Sequence, residues 1–141
     1  MRKEAEMADI SDYFRVVSVE DNVVHIELKN FWSDQVMDQL GEEIQARVTK
    51  AMTSLRGKRV ILLADWSESP VFGPKAEEHL AQALRIFKQY NGYKVVEVVP
   101  KSLVRMGLRK VAAETGEDDL RITVSSLPEA QEVIEGLKKE L

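Results

Sequence analysis

Residues 59–75, RVILLADWSESPVFGPK, decide the fold. An unbroken apolar run at 60–64 ends on an acid, a polar loop follows, and Gly73-Pro74-Lys75 opens a helix. A continuous apolar run is the pattern of a strand covered on both faces. Proline suits a first helical turn because its missing N–H has no intrahelical partner there. A central strand that feeds a helix through a loop marks an α/β domain, and that loop is where such a domain presents its working surface.

Upstream, FRVVSVE at 14–20 and VVHIELK at 23–29 flank Asp21-Asn22 and read as two strands joined by a tight turn. With those residues as the turn, Glu20 opposes Val23, and Val17, Val19, Val24, Ile26 and Leu28 share a buried face. Ser18, Glu20, His25 and Glu27 take the wet face. From Ser33 the period becomes helical, with Val36, Met37, Leu40, Ile44, Val48, Met52 and Leu55 on one stripe. Ser33 is the expected N-cap, Trp32 and Met37 form a hydrophobic staple, and Gly57 is the stop. Gly41 inside this helix costs about 1 kcal/mol relative to alanine, which a close approach to the sheet would explain.

Downstream, Leu80, Ala83, Leu84, Phe87 and Tyr90 form the stripe of a helix that ends at Asn91-Gly92. KVVEVV at 94–99 is the next strand, and residues 102–115 are a helix with Val104, Leu108 and Val111 inward. A last strand at 120–124 leads into SLPEAQEVIEGLKKEL, where Ser126 and Glu129 have capping-box spacing. The order β-β-α-β-α-β-α-β-α predicts an α/β fold: an N-terminal β-hairpin, then alternating helices and strands in a mixed sheet with flanking helices. Residues 1–12 read as a flexible or loosely docked arm and 13–141 as one domain.

The 141 residues carry a formal charge of −4 and no cysteine. An acidic balance argues against nucleic-acid binding, which needs a basic face to displace counterions. Without cysteine there is no disulfide, thiol nucleophile or cysteine-based zinc site, and two well-separated histidines, His25 and His79, do not make a metal site. No segment reaches the roughly 20 apolar residues of a membrane span, and the cytoplasm is the expected location. No cofactor motif is visible: GxxxxGK[ST] is absent.

The element order, the strand-loop-helix at 61–75 and the ending VVPKSLVRMGLRKVAAETGEDDLRITVSSLPEAQEVI, with its Glu129-Ala130 step, resemble the STAS or SpoIIAA-like family over residues 14–141. Pro100-Lys101-Ser102 is similar to the turn of the STAS/SEC14-like branch. The resemblance implies a non-enzymatic module that binds a protein partner, or, in the SEC14-like branch, a small apolar ligand or lipid held between the sheet and the helices at 74–90 and 102–115. Anti-sigma-factor antagonists of this family carry Asp-x-Ser after the central strand, here Asp65-Trp66-Ser67, then Asp-Ser-Ser-Gly at the next helix start, where one serine is phosphorylated. Gly73-Pro74-Lys75 stands at that place without a hydroxyl.

The expected partner- or ligand-binding residues are therefore Asp65, Trp66, Ser67, Ser69, Phe72 and Lys75. Each also has a plain structural role. Asp65, Ser67 and Ser69 are ordinary turn and capping residues, and Trp66 and Phe72 either anchor a partner or close the core. The N–H groups at the helix start, with Lys75, could receive an anion. Were Trp66 an exposed anchor, its replacement by alanine would abolish partner capture and leave the fold intact. Arg105 and Arg109, one turn apart, form a secondary basic patch diluted by Glu114, Glu117, Asp118 and Asp119. Both histidines are expected to be solvated. No nucleophile-base pair or pair of catalytic carboxylates is evident, so the chain reads as a binding module rather than an enzyme. A symmetric homodimer is compatible with the sequence, but no apolar seam requires it.

Overall fold

Strand β1 (Phe14–Glu20) and strand β2 (Val23–Lys29) pair antiparallel. Asp21 and Asn22 both adopt positive φ, 52° and 68°, as a two-residue turn matched to strand twist requires. The computed structural model describes residues 8–68, 73–99 and 120–141. Glu20 opposes Val23 and Val19 opposes Val24, as the sequence predicts, but the register shifts between Val16 and Ser18. Val17 is the extra residue of this bulge and is exposed. Phe14 and Val16 take the places opposite Leu28 and Ile26 instead. The expectation that Val17 lies on the buried face is thus corrected, because one inserted residue exchanges the two faces of everything upstream of it.

Strand β3 (Val60–Glu68), strand β4 (Gly92–Val98) and strand β5 (Arg121–Val124) complete a mixed sheet of order β1-β2-β3-β4-β5, parallel from β2 onward. Helix α1 (Asp34–Thr53) connects β2 to β3 and helix α2 (Pro74–Gln89) connects β3 to β4. Two right-handed crossovers stepping in one direction place both helices on the same face of the sheet. That face holds the larger core: Val24, Ile26, Leu28, Val60, Leu62, Ala64, Trp66 and Val95 packed with α1 and α2. Helix α3 (Leu127–Lys138) covers the other face, where Ile61, Leu63, Val96, Val98 and Val124 meet Ala130, Ile134 and Leu137. The predicted helix at 102–115 lies outside the described residues.

β3 continues through Glu68, beyond the strand end expected at Asp65. The alternation explains the extension: Trp66 points into the core while Asp65 and Ser67 are more exposed.

Ser33 caps α1 by accepting a hydrogen bond from the Val36 N–H at 3.2 Å, and Ser126 caps α3 through the Glu129 N–H at 3.3 Å. The Glu129 carboxylate reaches back to the Ser125 N–H, 3.1 Å away, one residue before the position a capping box would use. Arg56 and Gly57, at φ 55° and 81°, make the left-handed turn that follows the end of α1. The predicted stripe of α1 is buried from Val36 to Met52, whereas α2 fully buries only Ala76 and Phe87, and Leu80, Ala83 and Leu84 remain half-buried. At the N-terminal side, a 3-10 turn spans Ile10–Asp12, Ala8 and Ile10 pack on the core, and the Ala8 N–H donates to Gln39 Oε1 at 2.7 Å.

Gly41 is buried at the α1–α2 seam rather than against the sheet. A Cβ at this position would fall 2.5 Å from Nε2 of His79, so the glycine admits the imidazole of α2. The sheet explanation for Gly41 is corrected accordingly. Gly41→Ala is expected to destabilise the fold by about 1 kcal/mol net, because overpacking costs about 1–3 kcal/mol and the helix-propensity gain returns only about 1 kcal/mol. In a His79→Ala background the same change becomes stabilising. A double-mutant cycle by urea denaturation measures this, and equal effects in the two backgrounds would exclude the contact.

Candidate functional site

The carboxyl ends of the parallel strands, with the starts of α1 and α2, form the surface that the sequence nominates. Asp65, near the end of β3, accepts from the Ser67 N–H at 3.0 Å and from the Ser67 hydroxyl. Its carboxylate thereby braces its own strand end. Asp65 lies beside Glu27 across the β2–β3 ladder, and Glu27 is paired to Arg15 at 3.2 Å. His25, on the same strand as Glu27, is half-buried rather than solvated. Burial pushes its imidazole below the ordinary value, against the pull of Asp65 and Glu27, which favour the charged form. His79, also expected to be solvated, is half-buried at the helix seam. Its carbonyl accepts from Gln45 Nε2 at 3.1 Å.

The start of α2 is used internally. Gly73, its N-cap, has no side chain with which to cap the helix, and Asp34 at the start of α1 does so across the gap, accepting from the Lys75 N–H at 3.0 Å. The Lys75 ammonium pairs with Asp38, one turn further along α1. The hydrogen bond from Lys75 to Asp38 holds the ammonium above its ordinary value. Two carboxylates of α1 thus occupy the helix-start amide and the lysine that an incoming anion would have used.

Trp66 is 2% exposed and stacks at a tilt on Trp32, ring centroids 5.8 Å apart. Trp32 Nε1 is shared between the carbonyls of Lys29 at 3.2 Å and Tyr13 at 3.3 Å. Trp66 therefore closes the core and is not an exposed anchor. Its truncation to alanine removes packing of the kind that costs about 3–5 kcal/mol, so the fold would not be left intact. Ser69, Phe72, Arg105 and Arg109 lie outside the described residues.

Among the described residues, the exposed aromatic on this surface is Phe31, which sequence reasoning passed over. It is 50% exposed, although it sits between two tethered residues: the Asn30 N–H donates to the Glu68 carbonyl and the Gly73 N–H to the Trp32 carbonyl, both at 2.9 Å. The signal was the tandem Phe31-Trp32 in a four-residue connection, where the staple with Met37 needs only one of the two rings.

Sequence reasoning also missed a buried ion pair. Glu97 of β4 accepts from Nε of Arg121 of β5 at 2.6 Å, and both side chains are only 6% exposed. Burial pushes the Glu97 carboxyl above the ordinary carboxylate range, and Arg121 opposes that shift. The acid in the middle of KVVEVV was the available clue, since a strand covered on both faces has no wet side on which to place it. This pair borders a cavity of about 80 Å³ between the sheet, α1 and α2, with Trp32, Trp66, Phe14 and Phe87 in its walls. The described residues contain no cluster of three or more histidine, cysteine or acidic side chains able to hold a metal. Among them, no helix is long and apolar enough to cross a membrane.

No protein-family model matches the chain, and no curated protein sequence matches it. Solved structures do. The anti-sigma factor antagonist SpoIIAA in its unphosphorylated form superposes with a TM-score of 0.59 at 15% identity, over 89% of this chain and 97% of that one. The phosphorylated form of the Bacillus cell fate determinant SpoIIAA gives 0.58 at 15% identity, over 86% and 98%. An anti-sigma factor antagonist from Mycobacterium paratuberculosis gives 0.55 at 17% identity, over 92% and 98%. At these identities the likeness establishes the fold, which is SpoIIAA-like, and that agrees with the resemblance read from the sequence.

Breaking the Glu97–Arg121 pair from one side should be costly and removing both partners should not. Glu97→Met takes the carboxylate partner from a buried guanidinium and is expected to cost about 3–5 kcal/mol, whereas Glu97→Met with Arg121→Met should be neutral or stabilising by about 1–4 kcal/mol. Because the Glu97 carboxyl is raised in the folded state, its contribution is fully present below the ordinary carboxylate range and is lost as pH rises through the folded value. The wild type should therefore lose stability relative to the double variant as pH rises, which denaturant titrations across the acidic range would measure.

Proposed function

We propose that this chain is a non-catalytic protein-interaction module of the regulatory kind, working through the surface at the carboxyl ends of its parallel strands. The observation that carries the reading is Phe31, half-exposed on a backbone pinned at both neighbouring residues. A large ring already held in place loses little freedom on binding, which is the property of an interface anchor. At the same strand and helix ends, the exposed Ser67, Glu68, Asp38 and Lys75 supply the polar rim that such interfaces have. The SpoIIAA-like fold supports the same reading by analogy, since the similar structures include anti-sigma factor antagonists.

Switching by phosphorylation at the start of α2 is not part of the proposal, because Gly73-Pro74-Lys75 offers no hydroxyl and its amide and ammonium are already engaged by Asp34 and Asp38. Carriage of a lipid has less support. Ligand pockets that bury a drug-sized molecule run to about 300–1,000 Å³, and the internal cavity is about 80 Å³.

Native mass spectrometry of the protein recovered gently from its own cells tests the reading. A stoichiometric second protein is expected, and Phe31→Ala should reduce its capture at least tenfold while thermal unfolding stays close to wild type. Equal capture by the variant would remove this surface from the proposal. Recovery of the chain alone, or with only a lipid, would overturn the interaction reading itself.

A further inference from the structure

Strand β1 is an edge of the sheet, and its open side runs beside α1. At one end of the hairpin the Tyr13 carbonyl accepts from the Lys29 N–H at 2.9 Å. Alternation along an antiparallel ladder then turns the N–H and C=O groups of Phe14 and Val16 away from β2. At the other end Glu20 and Val23 flank the two-residue turn as its closing hydrogen-bonded pair, which turns the groups of Val19 outward too. Such an edge is a template for pairing with another strand, and the Val17 bulge keeps the regular stretch short. The side chains of Val16 and Val19 pack toward α1 and are only half-buried. With Ala46 and Ala51 they form the floor of an open groove between the edge and the helix. Among the described residues its walls carry Arg15, Arg47 and Lys50 against one acid, Glu43. Glu43 holds Arg47 at 2.9 Å and Glu27 holds Arg15 at 3.2 Å, and the exposed Lys50 adds a further positive charge. A chain of net charge −4 thus turns a positive flank to this groove.

From this geometry we infer that β1 accepts an added strand from a partner protein: an extended acidic segment whose apolar and acidic side chains seat in the groove beside α1. Backbone hydrogen bonds to the edge supply affinity, and the side chains at alternate positions supply selectivity. Residues directly opposed across a ladder share a face. A residue bonded to the outward groups of Val16 or Val19 therefore places its own side chain on the α1 side, over the valines and within reach of Arg47 and Lys50. A second copy of this chain is a poorer occupant, because pairing β1 with β1 about a two-fold axis sets two positive α1 flanks on the same face of the joined sheet. Phe31 does not line this groove, so the inference stands apart from the surface at the strand ends.

The probe is a heptapeptide with capped ends, Val-Thr-Glu-Thr-Val-Thr-Glu, whose valines and glutamates share one face when extended. Titrated into the ¹⁵N-labelled chain, it should shift the amides of Phe14, Val16 and Val19 saturably and slow their exchange with solvent. N-methylation of the first glutamate and the second valine, whose N–H groups would reach β1, should abolish binding, whereas N-methylation of the last two threonines should not. Replacing both glutamates by lysine should weaken binding, and so should Lys50→Glu on the exposed side of α1, each by about fivefold at low salt. Phe31→Ala should bind the peptide as the wild type does. Absence of a saturable shift, or equal loss from the two methylation patterns, would overturn strand addition. Equal binding of the lysine peptide would overturn the acidic character of the partner, and weakening by Phe31→Ala would move the peptide to the other surface. Protection of the same amides without peptide, in monomer or dimer, would assign the edge to the chain itself and overturn the partner.

Discussion

Burial of β3 on both faces is the constraint from which the rest of the structure follows. Val60 to Ala64 have almost no contact with solvent, and neither set of side chains can be covered by the sheet itself. One layer must lie above it and another below. α1 and α2 supply the first because successive right-handed crossovers fall on one face, and α3 supplies the second. The antiparallel hairpin can then close one edge. Its far face needs no cover, since Ser18, His25 and Glu27 are polar.

That arrangement brings the carboxyl ends of β2, β3 and β4 together with two helix starts, which is the usual location of function in an open α/β sheet. Here much of the local charge is already committed. Asp34 and Asp38 satisfy the start of α2, and Asp65 braces Ser67. What remains to face a partner is a rigid apolar ring, Phe31, with a polar surround, and not an anion-receiving cradle. The chemistry of the surface is accordingly that of shape and apolar contact, and the charges serve to hold it in place.

Deeper in the sheet, a different balance holds. A buried ion pair is weak evidence for stability, because desolvating two charges offsets most of their attraction. Glu97 and Arg121 occupy places where apolar side chains would pack as well, beside a cavity that better packing would fill. Within α2, only Ala76 and Phe87 are fully buried, so the helix on that side is held less firmly than α1, whose stripe is buried along its length. Polarity and loose packing coincide in one region, and that coincidence is what sets it apart from the rest of the core.

Local physics determined a great deal before any tertiary contact formed. Periodicities of two and 3.6 placed the hairpin, α1, β3, α2, β4 and α3, and the polar caps Ser33 and Ser126 marked where helices begin, because those preferences act within a few residues of chain. The parallel sheet followed from crossover length. The candidate surface was legible only in outline: Asp65, Ser67 and Lys75 do lie at the strand ends, but their side chains are engaged with one another or with α1. Whether Trp66 faced solvent or the core depended on β3 continuing through Glu68 and on Trp32 arriving from another connection to stack on it. The bulge at Val17, the fit of His79 against Gly41, the cap that Asp34 gives to α2 and the pairing of Glu97 with Arg121 were decided by tertiary structure alone. Each joins residues from different strands or helices, and the sequence pattern of one element does not encode which partner the fold will bring to it.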